Sequence, residues 1–229
     1  MGDIAAELQE QLNVETVFTV HIGNFDIPFF ESTVVGWIII GIVLILCLIF
    51  GTNLKVKNIS KRQAIAEKIV TGLENLVGGM VGHEAKGYVP YLLAVLLFLG
   101  FSNMAGIFGL KPPTKDLNVT ATLAVMSILL VQFANIKAHG PWGWIKSFAA
   151  PIAVVTPINI LELVIKPLSL CMRLFGNVLG AFVIMELIKS VVPVGVPAVL
   201  SLYFDLFDGL LQAYVFVFLT SLYIKEVLE

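Results

Sequence analysis

Long apolar runs punctuated by short polar connections dominate this chain. The stretch Ser32–Phe50 carries no charge and is long enough to cross a hydrocarbon core of about 30 Å, which predicts a first membrane span. A second uncharged stretch covers Gly87–Leu110 and is followed by Pro112–Pro113, and a third covers Leu117–Ile136. Between the first two spans, Ser60–Lys61–Arg62–Gln63 has a capping-box pattern, with Ile65, Ile69, Leu73, Leu76 and Met80 following at spacings of three and four. This predicts an amphipathic helix over 60–82 along the cytoplasmic interface, with Lys61, Arg62 and Lys68 on its wet side, a partner-binding helix being the competing reading. Gly78, Gly79 and Gly82 are expected to end it.

The last third differs in kind, because its apolar runs retain ionisable residues. From Pro157 to Val192 the only strong turn signal is Pro167, yet such a helix would extend about 53 Å, too long for a perpendicular crossing. It must tilt, kink near Pro167 or lie partly along the membrane. Pro193, Gly195 and Pro197 predict a turn, and a final helix over Ala198–Val227 returns as the second arm of an antiparallel hairpin. The expected fold is therefore an all-α polytopic membrane protein with about five membrane segments, the last two a long tilted hairpin, plus one amphipathic interfacial helix. It forms a single membrane domain, divided into an external segment 1–31, a first span 32–50, the interfacial helix 60–82, two spans within 87–136 and the hairpin 151–229.

Composition agrees: 58% of the 229 residues are hydrophobic and 13% charged, far below the charge of a soluble domain. A net charge of −2, with the basic residues confined to short connections, argues against nucleic acid as a partner. Lys55, Lys57, Lys61 and Arg62 after the first span, and Lys137, His139 and Lys146 after the third, place those loops in the cytoplasm. The amino terminus is then outside and the carboxy terminus inside. Asp3, Glu7, Glu10 and Glu15 have the wrong sign for a targeting segment, so a mature amino terminus is expected. Cys47 and Cys171 lie in apolar runs without a nearby His or second Cys, and are read as small buried hydrophobes with no metal or redox role. His21, His83 and His139 are read as solvated groups in loops or at interfaces.

Arg173 is the sharpest anomaly in the hairpin. A guanidinium cannot discard its proton, and placing one at a helix centre costs about 2.5–3.5 kcal/mol on insertion scales. Glu162, Lys166, Arg173 and Asn177 share one helix face, and Glu162 and Lys166 are spaced to pair. Glu162 lies about 16 Å from Arg173 along the axis, and Glu186 about 20 Å away and off its face, so the arginine's counter-charge is expected on another helix or chain. On the return helix Asp205, Asp208 and Gln212 also share a face, with Gln212 at the depth of Arg173. Glu186, Asp205 and Asp208 fall toward the outside and Glu162 toward the cytoplasm. Buried polar residues in membranes mark ion paths, and a permanent cation between two such sets would separate them.

Arg173–Leu174–Phe175–Gly176–Asn177, preceded by Lys166–Pro167–Leu168–Ser169–Leu170, with Pro112–Pro113–Thr114–Lys115–Asp116–Leu117–Asn118 upstream and Leu211–Gln212–Ala213 downstream, resembles subunit a of the F-type ATP synthase membrane sector. The resemblance covers nearly the whole chain in order. It implies a stator packed against a ring of c-subunits whose carboxylate pairs with Arg173, with b-type peripheral stalk subunits as further partners and a bacterial cell membrane as the location. Arg173 would separate two half-channels for H+ or Na+, with Asn177 and Gln212 as its polar neighbours. Glu162, in Pro157–Ile158–Asn159–Ile160–Leu161–Glu162, would line the cytoplasmic half-channel, and Asp205 stands where some members carry a channel histidine. Many members carry a glutamate five residues after the motif's Asn, where this chain has Phe182, and Glu186 one turn later is the candidate replacement. No cofactor, metal or nucleotide is expected, since there is no Walker-type glycine loop, nor catalysis by the subunit alone. A free-standing secondary transporter would show internal repeats, which are not found, and the buried charges argue against a purely structural anchor.

Overall fold

The computed structural model describes residues 16–22, 25–52, 60–82, 85–147, 156–191 and 195–228. The uncharged first run forms α1 (Glu31–Gly51), one residue longer at each end than its apolar pattern predicts. Glu31 occupies its first turn, where a carboxylate complements the helix dipole, and accepts from Lys111 Nζ at 2.9 Å. The amphipathic segment forms α2 (Lys61–Val81), and Ser60 caps it by accepting from the Gln63 backbone N–H at 3.3 Å. The helix continues through Gly78 and Gly79, and Gly82, at φ 79°, is the residue that ends it.

The second span is α3 (Val89–Met104), flanked by 3-10 turns at Lys86–Tyr88 and Ala105–Phe108. A further 3-10 turn at Pro113–Lys115 leads into α4 (Leu117–Ser147). Asp116 starts α4 by accepting from the Asn118 N–H at 2.9 Å, while its other oxygen accepts from Ser32 Oγ on α1 at 2.6 Å. α4 outruns its predicted end at Ile136, because the chain breaks only at Gly140, with φ 72°, before Pro141. α5 (Thr156–Val191) runs continuously across Pro167 and is roughly 54 Å long at 1.5 Å per residue. Residues 192–194 of the predicted turn lie outside the described residues, as do the N-terminal acidic residues, His83, Lys55 and Lys57.

The return arm has three consecutive pieces: α6 (Val196–Ser201), a π-helical segment (Leu202–Asp208) and α7 (Gly209–Leu228). Among the described residues, five helical stretches have the length and composition to cross a membrane, as the apolar runs predict. One element departs from the all-helical expectation. Within the predicted external segment, β1 (Thr16–Ile22) and β2 (Phe25–Phe30) form an antiparallel hairpin in which Phe18 and Phe29 stack at 4.7 Å. His21 therefore lies on a strand, exposed.

The core joins α2, α3, α4, α5 and α7 through Val77, Leu92, Leu99, Val131, Leu170, Leu174, Phe216 and Val217. Ala124, Ala134, Ala213, Ser127, Thr220 and Ser221 are also buried. Small residues let helix backbones approach closely where lipid offers no hydrophobic incentive to associate. α2 packs through Val77 and Val81, and of its predicted apolar stripe Met80 packs against the core and Leu73 is half-buried, whereas Ile65, Ile69 and Leu76 stay exposed. Apolar periodicity identifies a non-aqueous face but does not distinguish lipid from protein as its neighbour. Cys47 is likewise exposed on α1, contrary to the burial expected of it, while Cys171 is buried against Thr120.

Candidate functional site

Two polar cavities flank Arg173 along α5. The first, of about 310 Å³, lies near the hairpin turn and is lined by residues including Asn177, Phe182, Asp205, Asp208 and Gln212. Its wall depends on two close helix approaches. A Cβ at Gly106 would lie 2.5 Å from Asp205 Oδ1, and one at Gly209 would lie 2.9 Å from the Asn103 Cβ. Glycine at both positions lets the end of α3 and its following turn close on the π-helical segment. Asn103, buried in α3, fixes the approach by donating to the Gly209 carbonyl at 2.8 Å and accepting from the Thr114 hydroxyl at 2.7 Å.

The π-helical segment changes the angular spacing behind the expected shared face of Asp205, Asp208 and Gln212, yet all three line this cavity. Gln212 is 2% exposed and accepts from Asn177 Nδ2 at 2.8 Å. Its own Nε2 is buried without a partner among the described residues. Gln212 therefore bonds to Asn177, one turn beyond Arg173.

Glu186 is not among the residues lining this cavity. It pairs with Lys189 at 3.4 Å, and Met185 and Lys189 line the wall beside it. Phe182 also belongs to the wall, with Lys115 Nζ 3.6 Å from its ring centroid. Burial drives the Lys115 ammonium down to about pKa 8, with help from the Lys111 charge and opposition from Glu31 and Glu186. Phe182 thus presents an aromatic ring with a lysine on it, and no carboxylate, to this wall.

The second cavity, of about 320 Å³, lies toward the other end of α5 and is lined by residues including Asn135, His139, Glu162, Lys166 and Glu226. The expected Glu162–Lys166 pair forms at 3.0 Å. Sequence reasoning missed Glu226, whose two carboxylate oxygens accept from the same Lys166 Nζ at 3.1 and 3.0 Å. His139 stands on α4, just before the break, and is exposed.

Arg173 lines neither cavity. It is exposed on α5 while its neighbours Cys171 and Leu174 are buried, and among the described residues it makes no hydrogen bond or ion pair. The arrangement defines a class: a polytopic helical membrane protein with two polar cavities offset along one long helix and, among the described residues, an unpartnered cation on that helix between them. The ATP synthase A chain model matches residues 33–225, and the chain belongs to that family, the ion-channel stator subunit of the synthase's membrane sector.

Curated relatives agree over most of their length. The chain is 33% identical to the sodium ion specific ATP synthase subunit a of Propionigenium modestum, covering 89% of this chain and 75% of that one. It is 34% identical to ATP synthase subunit a of Moorella thermoacetica, covering 93% and 97%, and 32% identical to the chloroplastic subunit of Oedogonium cardiacum, covering 87% and 82%.

Proposed function

We propose that the cavity near the hairpin turn is the outer half-path, the cavity around Glu162 is the inner half-path, and Arg173 keeps them apart while facing the c-ring. A cation entering from outside is handed along Asp205 and then Asp208 to a ring carboxylate near Asn177 and Gln212. After nearly a full turn of the ring, it leaves past Glu162. A guanidinium is a permanent cation, so Arg173 attracts each arriving ring carboxylate in its ionised form and cannot relay a proton across the gap. Each charge crossing the whole membrane yields about 2.3 kcal/mol per 100 mV, which turns the ring. Glu186, paired with Lys189, acts at the margin of the outer path.

The cation is H+ or Na+, both compatible with hydrated carboxylate paths. The ring and the b-type peripheral stalk complete the membrane sector in a bacterial cell membrane, with the amino terminus outside and the carboxy terminus in the cytoplasm. The subunit itself catalyses no reaction; ATP chemistry takes place elsewhere in the complex. The observation that carries this reading is Arg173 itself, an exposed guanidinium without a partner among the described residues, placed between two polar cavities. In the assembled synthase in inverted vesicles, Arg173→Ala should reduce ATP-driven ion uptake more than about tenfold, the equivalent of roughly 1.4 kcal/mol on the limiting step. Uptake at the native rate would overturn the separating role.

A further inference from the structure

Lys166 is shared between two carboxylates that come from different helices. Its Nζ lies 3.0 Å from Glu162 Oε2 on α5 and 3.1 and 3.0 Å from the two Glu226 oxygens on α7. It also lies 5.2 Å from the Tyr223 ring centroid. The ammonium is the more buried member, with its side chain 23% exposed against 47% for Glu162 and 57% for Glu226. One lysine therefore sits beneath two acids that open toward the same cavity. Ordinary exposed ion pairs contribute about 0–1 kcal/mol and need no cavity. Here a lysine bridges the two arms of the hairpin in the wall of one.

A second observation concerns α4. Asn135 is 8% exposed, lines that cavity, and its Oδ1 is buried without a partner among the described residues. Gln132, one turn earlier on the same wall, has its side-chain oxygen occupied by Trp144 Nε1 at 2.8 Å. An amide carbonyl oxygen accepts from a hydrated proton or coordinates an alkali cation, replacing part of its water shell.

We infer that Glu226 and Asn135 complete a cation station with Glu162, in which Lys166 is a tethered counter-charge. With both acids ionised, the three charged groups sum to −1. A cation arriving from the ring takes the place of the ammonium at one carboxylate while Lys166 keeps the other, so no carboxylate loses its counter-charge as the ion passes. The Asn135 oxygen supplies a neutral ligand from α4. This rests on the half-path reading above and adds to it a second acid and an amide.

The test uses complete synthase in vesicles stripped of its catalytic head, with passive ion flux under an imposed membrane potential normalised to the amount of assembled membrane sector. Glu226→Gln and Glu162→Gln should each slow flux about two- to fivefold, and Asn135→Leu by a similar factor. The double Gln variant should lose more than the product of the single losses, because each acid substitutes for the other. Glu226→Asp should restore most of the rate. Native flux with Glu226→Gln in both the wild-type and the Glu162→Gln backgrounds would overturn the station. Coupled pumping with Arg173→Ala, measured in the same preparation before stripping, separates the two ideas. Loss of coupling there alongside inert Glu226 variants sinks this inference alone, whereas intact coupling sinks the half-path reading beneath it.

Discussion

The two cavities are nearly equal in volume, about 310 and 320 Å³, but they manage charge in opposite ways. Near the hairpin turn, Asp205 and Asp208 belong to a π-helical segment pressed against α3, while lysines approach from the side, Lys189 in the wall and Lys115 on the Phe182 ring. At the other end, one lysine lies directly between two carboxylates. The first arrangement sets the acids beside lysines without a direct lysine pair, and in the half-path proposal it serves cation uptake, whereas the second would give a leaving cation a counter-charge to exchange with.

The comparison is tested most severely by removing acids from each side. Asp205→Asn with Asp208→Asn leaves Lys189 as the charged group lining the cavity near the hairpin turn and should reduce ATP-driven pumping more than about tenfold. Glu162→Gln, which leaves Glu226 in place, should cost only a few-fold in the same assay. Equal losses on the two sides would erase the distinction.

A smaller effect comes from Lys115. Its folded pKa of about 8 lies below the ordinary lysine value of 10.5, so between these values the unfolded chain binds more protons and stability rises with pH. The stabilisation is fully present above pH 10.5 and is lost as pH falls through about 8. Because the side chain is only half-buried, solvent screens the effect. The wild-type complex should gain a small amount of thermal stability between pH 8 and 10, and Lys115→Arg, which does not titrate there, should abolish that gain. In the same interval, outer ion uptake should rise in the wild type and stay flat in Lys115→Arg. Parallel profiles would show that Lys115 has no bearing on the outer mouth.

Hydrocarbon thickness made the spans legible: an uncharged run of the right length has few alternatives in a membrane, and α1 and α5 end within a residue of their patterns. Helical spacing also revealed the Glu162–Lys166 pair, and the insertion cost of a guanidinium singled out Arg173. The hairpin Thr16–Phe30 was missed because its Val, Thr and Phe residues follow an acidic stretch that reads as a polar tail. The π-helical segment has no sequence signal of its own, since its apolar residues would suit an α-helix equally well. Glu226 was hidden beside Lys225 in what reads as a solvated helix end, and only the hairpin's closure brings it to Lys166. Glu186 shares the Phe182 face by helical spacing, but spacing does not report the pull of Lys189.

The central claim is that the two cavities open to opposite sides of the membrane and meet only at the ring. Single cysteines at positions 208 and 162, made as Asp208→Cys and Glu162→Cys in a chain whose Cys47 and Cys171 are replaced by alanine, test it directly. A membrane-impermeant thiol reagent is applied to one face of sealed vesicles containing the assembled synthase. The account predicts that position 208 is labelled only from the outer face and position 162 only from the cytoplasmic face. Labelling of both from the same face would contradict it.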